Sequence, residues 1–366
     1  STYNFNSDTN PISLGTTIGF LDNANKHSRF FEMASALREG EPEVIEQSAV
    51  VSRLFDNDLK LISNSRENSV IFFSEGDSST LYGYKYFDQI NARKLASWFK
   101  WKMTGTISYH CMQDDNLFAV VKDAGDNNGP DYHLLKFSLK PEEDLTFTVD
   151  NGLYDLHLDH MYKIPTGTVA NYDENADFTT IALPLVDDVD VSGLGNHTAL
   201  TNNIGTTKLF AYNPTSGSLV GTYKQVINSA TNANSVFLLV AGNWSQGTGG
   251  VSSVIPGIVV GFNYTMKVEI PTLYYQKQSG ERWVSDTRAD TILHRIKLGF
   301  GPVGTYETKL KCLGKADYDQ VFEVTPTSNP YASGITNDDT LTTIPIYNRN
   351  INTSLTIEST HPTPMT

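Results

Sequence analysis

Short runs of β-branched and aromatic residues recur along this chain, and clusters of Asn, Asp, Gly, Ser and Thr separate them. SVIFF (69–73), LYGYKYF (81–87), LFAVV (117–121) and YHLLKF (132–137) are examples. Such runs fit a pleated, half-buried surface, and the polar clusters fit turns. The pattern predicts a mainly β protein. One stretch departs from it. EPEVIEQSAVVSRLF (41–55) places Pro42 where a first helical turn tolerates proline, and Val44, Ser48, Val51 and Leu54 follow a helical spacing. One short helix is expected near 41–55.

An internal repeat is visible. LISNSRENSVIFFSEGDSSTLYGYKYF and TISYHCMQDDNLFAVVKDAGDNNGPDYHLLKFS share a strand, a polar turn, an apolar strand, a Gly/Asp/Asn turn and an aromatic strand with a central lysine. The lysines are Lys85 and Lys136. A period of about 40–50 residues with three or four strands per unit is that of propeller blades, and two ordinary β-meanders would look the same.

Toward the C-terminus the alternation sharpens. In ILHRIKLGF (292–300), Ile292, His294, Ile296, Leu298 and Phe300 fall on one face. In TYETKLKCL (305–313), Tyr306, Thr308, Leu310 and Cys312 do the same. GPVG joins the two runs, so the expectation is a hairpin in a half-exposed antiparallel sheet. IPGIVVGFNYTMKVEIPTLYY (255–275) reads as a buried strand pair, and TIPIYNRNINTSLTIES (343–359) as two further strands.

Charge bounds the function. The 366 residues carry 27 bases and 41 acids, a net −14. A general nucleic-acid binder needs a net basic surface to displace counterions, so that class is disfavoured. No apolar run approaches the roughly 18 residues of a membrane-spanning helix. The charge is also uneven. Residues 141–206 hold twelve acids against Lys163 alone, whereas 267–315 hold nine bases and five acids. The two cysteines, Cys111 and Cys312, are no disulfide framework and are expected to be reduced and buried.

Motifs for chemistry are sparse. Gly299-Phe300-Gly301-Pro302-Val303-Gly304 spells a dinucleotide fingerprint, but a strand pattern follows where a helix must present its N-terminus. Asp155, His157 and Asp159 would share a face of one strand, with His160 beside them, a spacing a cation tolerates; a polar solvent face is the simpler reading. Asp123, Asp126, Asn127, Asn128 and Asp131 crowd one loop without the EF-hand spacing. His27, His110, His133, His294 and His361 are scattered. Trp98, Trp101, Trp244 and Trp283 fit core anchors better than a sugar platform. No catalytic, cofactor-binding or metal-ligating residue is assigned, and no cofactor is expected.

Three blocks together resemble one family. They are IGFLDNANKHSRFFEMASALREGEPEVIEQSAVVSRL (18–54); LISNSRENSVIFFSE (61–75) with LYGYKYF and KLASWFKWK (94–102); and MKVEIPTLYY (266–275) with TRADTILHRIKLGFGPVGTYETKLKCLGK (287–315) and IPIYNRNINTSLTIESTHPTP (344–364). They cover about half the chain and look like the tail tubular protein B, or tail nozzle, of short-tailed bacteriophages. The resemblance implies a structural, non-enzymatic protein of the virion tail, made in the host cytoplasm. It implies a homohexameric tube that closes the distal DNA-ejection channel below the adaptor, the tail tubular protein A, and docks tail fibres. It implies a β-propeller among several β domains, and a family sequence that begins before Ser1 and continues beyond Pro364. Viral DNA would pass without specific binding, which suits acids from 141–206 on a channel wall; the same acids would also simply keep the protein soluble. Arg66, Glu67 and Arg288 lie in the resembling blocks and suit domain or subunit contacts, or pairing within one subunit. The domain expectation is 1–140 with propeller-like blades and one helix, 141–257 as an acidic then Asn/Thr/Gly-rich β subdomain, and 258–366 as an antiparallel β domain. The alternative function is a virion protein that binds or depolymerises carbohydrate, using aromatic platforms and paired carboxylates.

Overall fold

The computed structural model describes residues 6, 8–15, 17–22, 29–34, 43–51, 53–89, 92–114, 116–122, 132–137, 139, 146–149, 152–155, 158–184, 209–212, 223–232, 235–247, 252–279, 282–300, 303–323 and 340–361. The chain parts into two compact units, 1–142 with 185–202, and 143–184 with 203–366. The described elements are almost all β, as the alternating runs predicted.

The N-terminal unit opens with β1 (Ile12–Ser13), β2 (Thr17–Leu21), β3 (Phe30–Ala34) and β4 (Glu43–Glu46), paired in that order as an antiparallel sheet. β4 corrects the expected helix. Glu43–Glu46 pairs with Phe31–Ala34, and beyond it only Ala49–Val51 form a single 3-10 turn. Two further bonds extend the tie to β3: Gln47 N donates to Phe30 O, and Phe30 N donates to Ser48 Oγ. A β-branched Val-Ile pair with a strand waiting beside it outweighs a weak helical spacing.

A six-stranded meander follows: β5 (Leu61–Ser65), β6 (Val70–Ser74), β7 (Ser78–Gln89), β8 (Ala92–Gln113), β9 (Asn116–Lys122) and β10 (Tyr132–Phe137). The two copies of the repeat are therefore consecutive halves of one sheet. They are joined by β8, whose first part pairs with β7 and whose last part pairs with β9. The sheet curls along β8, where Gly105 takes a positive φ and the register with β9 shifts after Ile107. The curl brings β5 back to β8, with Ser63 Oγ 2.7 Å from His110 Nδ1.

β6 is buried on both faces, and its alternation divides two cores. Ile71 and Phe73 join Phe30, Phe55, Tyr82 and Tyr84 on one side. Val70 and Phe72 join Leu81, Met103, Ile107 and Val121 on the other. Gly83 lies opposite Phe99, and a Cβ there would stand 2.0 Å from the Phe99 ring. The aromatic ring covers the gap left by glycine on the neighbouring strand. Gly83→Ala is expected to cost about 1–3 kcal/mol through overpacking. The double variant with Phe99→Ala should cost less than the sum of the two, which denaturant titration of all three variants measures.

In the second unit β11 (Thr146–Val149) and β12 (Gly152–Asp155) form a hairpin. β13 (Leu158–Lys163), β14 (Ala170–Asp173), β15 (Phe178–Pro184), β16 (Leu209–Tyr212), β17 (Tyr223–Asn232) and β18 (Ser235–Ala241) follow. After the small pair β19 (Ser245–Gln246) and β20 (Ser253–Val254) comes β21 (Val259–Asn263). The large sheet runs β13-β21-β16-β17-β18-β15-β14. Thr179 fixes one end of it: Oγ1 donates to Gly242 O at 2.6 Å and accepts from Trp244 N at 2.9 Å.

The remaining strands are β22 (Met266–Ile270), β23 (Tyr275–Ser279), β24 (Arg282–Asp286), β25 (Ile292–Phe300), β26 (Tyr306–Cys312), β27 (Tyr318–Phe322), β28 (Thr340–Arg349) and β29 (Thr353–Ser359). They build a sandwich. One layer is β22-β29-β26-β27, the other is the ribbon β25-β28, and β23-β24 form a separate hairpin. Leu310, Cys312 and Leu355 of the first layer meet Ile344 and Ile346 of the ribbon in a common core.

Three sequence expectations change here. β25 and β26 are not a hairpin, since β25 pairs with β28, and β26 pairs with β27 and β29. Val303, between β25 and β26, is buried. β21 and β22 are both strands but belong to different sheets. The inward face of β25 is also not continuous. A bulge opposite His294 turns Leu293 inward with Ile296, Leu298 and Phe300 and leaves Ile292 exposed. β26 keeps its expected face, with Tyr306, Thr308, Leu310 and Cys312 buried. Cys312 is buried as expected, whereas Cys111 is exposed because it falls on the outer face of β8.

Candidate functional site

The turn after β6 and the segment before β5 enclose an open cleft. Asp56, Asn57, Asp58, Lys60, Glu75 and Asp77 line it. Its floor is the buried Glu75. Oε1 accepts from the backbone N–H groups of Asp56 (3.0 Å) and Asn57 (2.9 Å) and from Tyr82 OH (2.7 Å), and Oε2 accepts from Asn57 Nδ2 (3.2 Å). Burial pushes this carboxyl up, but the Tyr82 and Asn57 hydrogen bonds, with that from Asp56, outweigh it and hold the pKa below the usual carboxylate value. Burial and the Glu75 contact push the Tyr82 phenol up. The arrangement ties a loop to the sheet.

The direction of that shift matters for the carbohydrate-cleaving alternative. A general acid near neutral pH needs a raised carboxyl pKa. Glu75, Asp286 and Glu358 all shift downward; Asp286 is held by Lys277, and Glu358 by Lys309 and Lys267. These groups favour anchoring over proton donation.

The acid and histidine run at 155–160 is not one strand. Asp155 ends β12, whereas Asp159 lies in β13, and the two strands belong to different sheets. His157 lies outside the described residues, as do the loop acids Asp123, Asp126 and Asp131 with Asn127 and Asn128. Asp159 and His160 are both buried at a β13 bulge, where His160 takes a φ of 50°. His160 Nδ1 stands 2.8 Å from Asp159 Oδ1. Burial, reinforced by the Asp159 charge, pushes the Tyr264 phenol well up. Among the described residues no group of three or more His, Cys, Asp or Glu side chains is placed to hold a metal ion.

The other singled-out residues land as follows. His110 and His133 are buried, and burial alone lowers His110 to about 4. Trp98 packs against the first core, Trp101 against Phe72, and Trp244 is buried with Nε1 donating to Ala241 O at 2.8 Å. Arg66, Glu67 and Arg288 sit exposed in turns. Gly299 and Phe300 are the last two residues of β25, and Gly301 and Pro302 lie outside the described residues. Of the acidic segment, Asp173, Glu174 and Asp177 form an exposed turn between β14 and β15. Glu142, Glu143, Asp144, Asp150, Asp187, Asp188 and Asp190 lie outside the described residues. Sequence reasoning missed Glu75, for which a lone Glu before Gly-Asp gives no signal, and the exposed Tyr347 of β28.

No helix of the described residues is long and apolar enough to cross a membrane. In comparison with known protein families, the whole sequence, residues 1–366, matches the one described as bacteriophage nozzle protein. A search of curated proteins finds no match.

Proposed function

The chain belongs to the bacteriophage nozzle protein family and is a structural component of the phage tail; from that premise we propose that six copies close into the distal DNA-ejection tube of a short tail. The match along the entire sequence carries this reading. The tube sits below the adaptor ring, carries tail fibres on its outside and performs no reaction. It is made in the host cytoplasm and functions in the virion. The curled six-stranded sheet serves as the blade-like part, within a division of 1–140, 141–257 and 258–366.

The charge distribution supports the channel. Each phosphate held by a Lys or Arg adds affinity and slows a moving duplex. Six copies of a segment with twelve acids and one base repel it instead. Single-particle images of the purified chain should show six-fold rings with a central hole. Phage carrying Asp187→Lys, Asp188→Lys and Asp190→Lys together should eject DNA several-fold more slowly. Unchanged ejection kinetics would remove the acidic wall, and a stable trimer would remove the six-fold tube.

A further inference from the structure

We propose that the turn end of the C-terminal sandwich, centred on Tyr347, docks on the acidic surface of a second copy of this chain. The proposal rests on the tube reading and deepens it by naming the subunit contact.

Tyr347 is the unusual residue of the ribbon. It occupies the bulge of β28 opposite His294, with a φ of 48°. Left-handed backbone is rare for a bulky side chain and persists where the surroundings over-determine it, most often at functional surfaces. Lys315 Nζ donates to Tyr347 O at 3.0 Å, and the His294 ring meets the Tyr347 ring edge-on at 5.7 Å. Yet the side chain is 66% exposed. The backbone distortion places an aromatic ring in solvent.

Its neighbours make a surface. Leu313, Ile292 and Ile351 are 77%, 61% and 57% exposed. Leu313 N donates to Asn352 O, and Asn350 N to Thr291 O, both at 2.9 Å, so the three segments form one end of the sandwich. Arg349, ion-paired with Asp290 at 3.2 Å, adjoins this end, and the exposed Arg295 and Lys297 of β25 supply positive charge beside it. An aromatic anchor among aliphatic side chains with a charged rim is the composition of an interface centre.

Charge selects the occupant. The turn between β14 and β15 exposes Asp173, Glu174 and Asp177 with no base among them, and β25 exposes Arg295 and Lys297. One chain thus carries both halves of a complementary pair. A head-to-tail contact between two different patches closes into a ring when the rotation allows. The exposed turn with Asp173, Glu174 and Asp177 is the described acidic surface that fits.

The test uses the full chain and mass photometry across a salt series. Tyr347→Gly suits the left-handed backbone, so its melting temperature should hold or rise. Its self-association should weaken on the order of tenfold or more. Arg295→Glu with Lys297→Glu, and separately Asp173→Lys with Asp177→Lys, should each abolish self-association, and mixing the two chains should restore it. Association of Tyr347→Gly at the wild-type strength overturns the docking, as does assembly of either charge-reversed chain alone. Six-fold rings persisting in every variant leave the tube reading standing without this contact. Wild-type trimers that dissolve on Tyr347→Gly remove the six-fold tube and keep the contact.

Discussion

Trp98→Ala is expected to destabilise the N-terminal unit by about 3–4 kcal/mol. The indole packs against four rings, with centroids 4.8 Å from Tyr84, 5.3 Å from Phe55 and Phe73, and 6.3 Å from Phe30. Its Nε1 also donates to Gln47 O at 3.2 Å, which ties the segment after β4 to β8. Removing it leaves a cavity where both sheets of the unit contribute rings. For a unit of this size the loss corresponds to a fall of about 6–15 °C in melting temperature. The chain has two compact units, so calorimetry should show one transition move and the other stay. Trp98→Phe keeps a ring and should recover most of the loss. A shift below 2 °C for Trp98→Ala would mean that this core does not limit the unit.

Glu75→Ala is expected to cost about 3 kcal/mol in the same unit. Two backbone N–H groups and the buried Tyr82 hydroxyl lose their acceptor. Glu75→Gln keeps an oxygen but turns an amide toward one of the donors, and should cost about 1–2 kcal/mol. The pH dependence has a definite sign. The Glu75 pKa is lowered on folding, so its contribution is complete above the unfolded value of 4.5 and is lost as pH falls through the folded value. Burial lowers His110 from 6.5 to about 4, so the unfolded chain takes up that proton first, and stability falls from about pH 6.5 down to about 4. Wild type should lose stability in two stages on acidification. Glu75→Gln should lose the lower stage and keep the upper, which equilibrium unfolding across that range would resolve.

The strands were legible because alternation is a local property. YETKLKC states which residues face inward, and β26 obeys. Partners were not legible. Nothing in ILHRIKLGFGPVGTYETKLKCL tells a hairpin from a crossover between layers, because the pairing of β25 is decided by β28, far along the chain. The helix reading at 41–55 failed for the same reason, since β3 decides the conformation of Glu43–Glu46. The bulge opposite His294 was also invisible, and it reverses Ile292; so was the assignment of β12 and β13 to different sheets, which parts Asp155 from Asp159. The family resemblance, carried by blocks over about half the chain, agrees with the family match over residues 1–366. Tyr347 lay inside a resembling block, but only backbone geometry marks it.

The pairing order of the two units bears on how the protein is made. Among the described strands of the N-terminal unit every sheet partner is a neighbour in sequence, so each strand can add to the last as it leaves the ribosome. The second unit is interleaved. β13 waits for β21, β25 for β28, and β22 for β29. Non-local pairing is slow because loop closure must precede its reward. At roughly 5–20 residues per second, β22 spends several seconds or more without its partner. The unpaired edges of β22 and β25 are then the sites where nascent chains pair with one another by mistake. Slower translation between β22 and β29 would prolong that exposure, and a chaperone that holds extended strands would shorten its consequences.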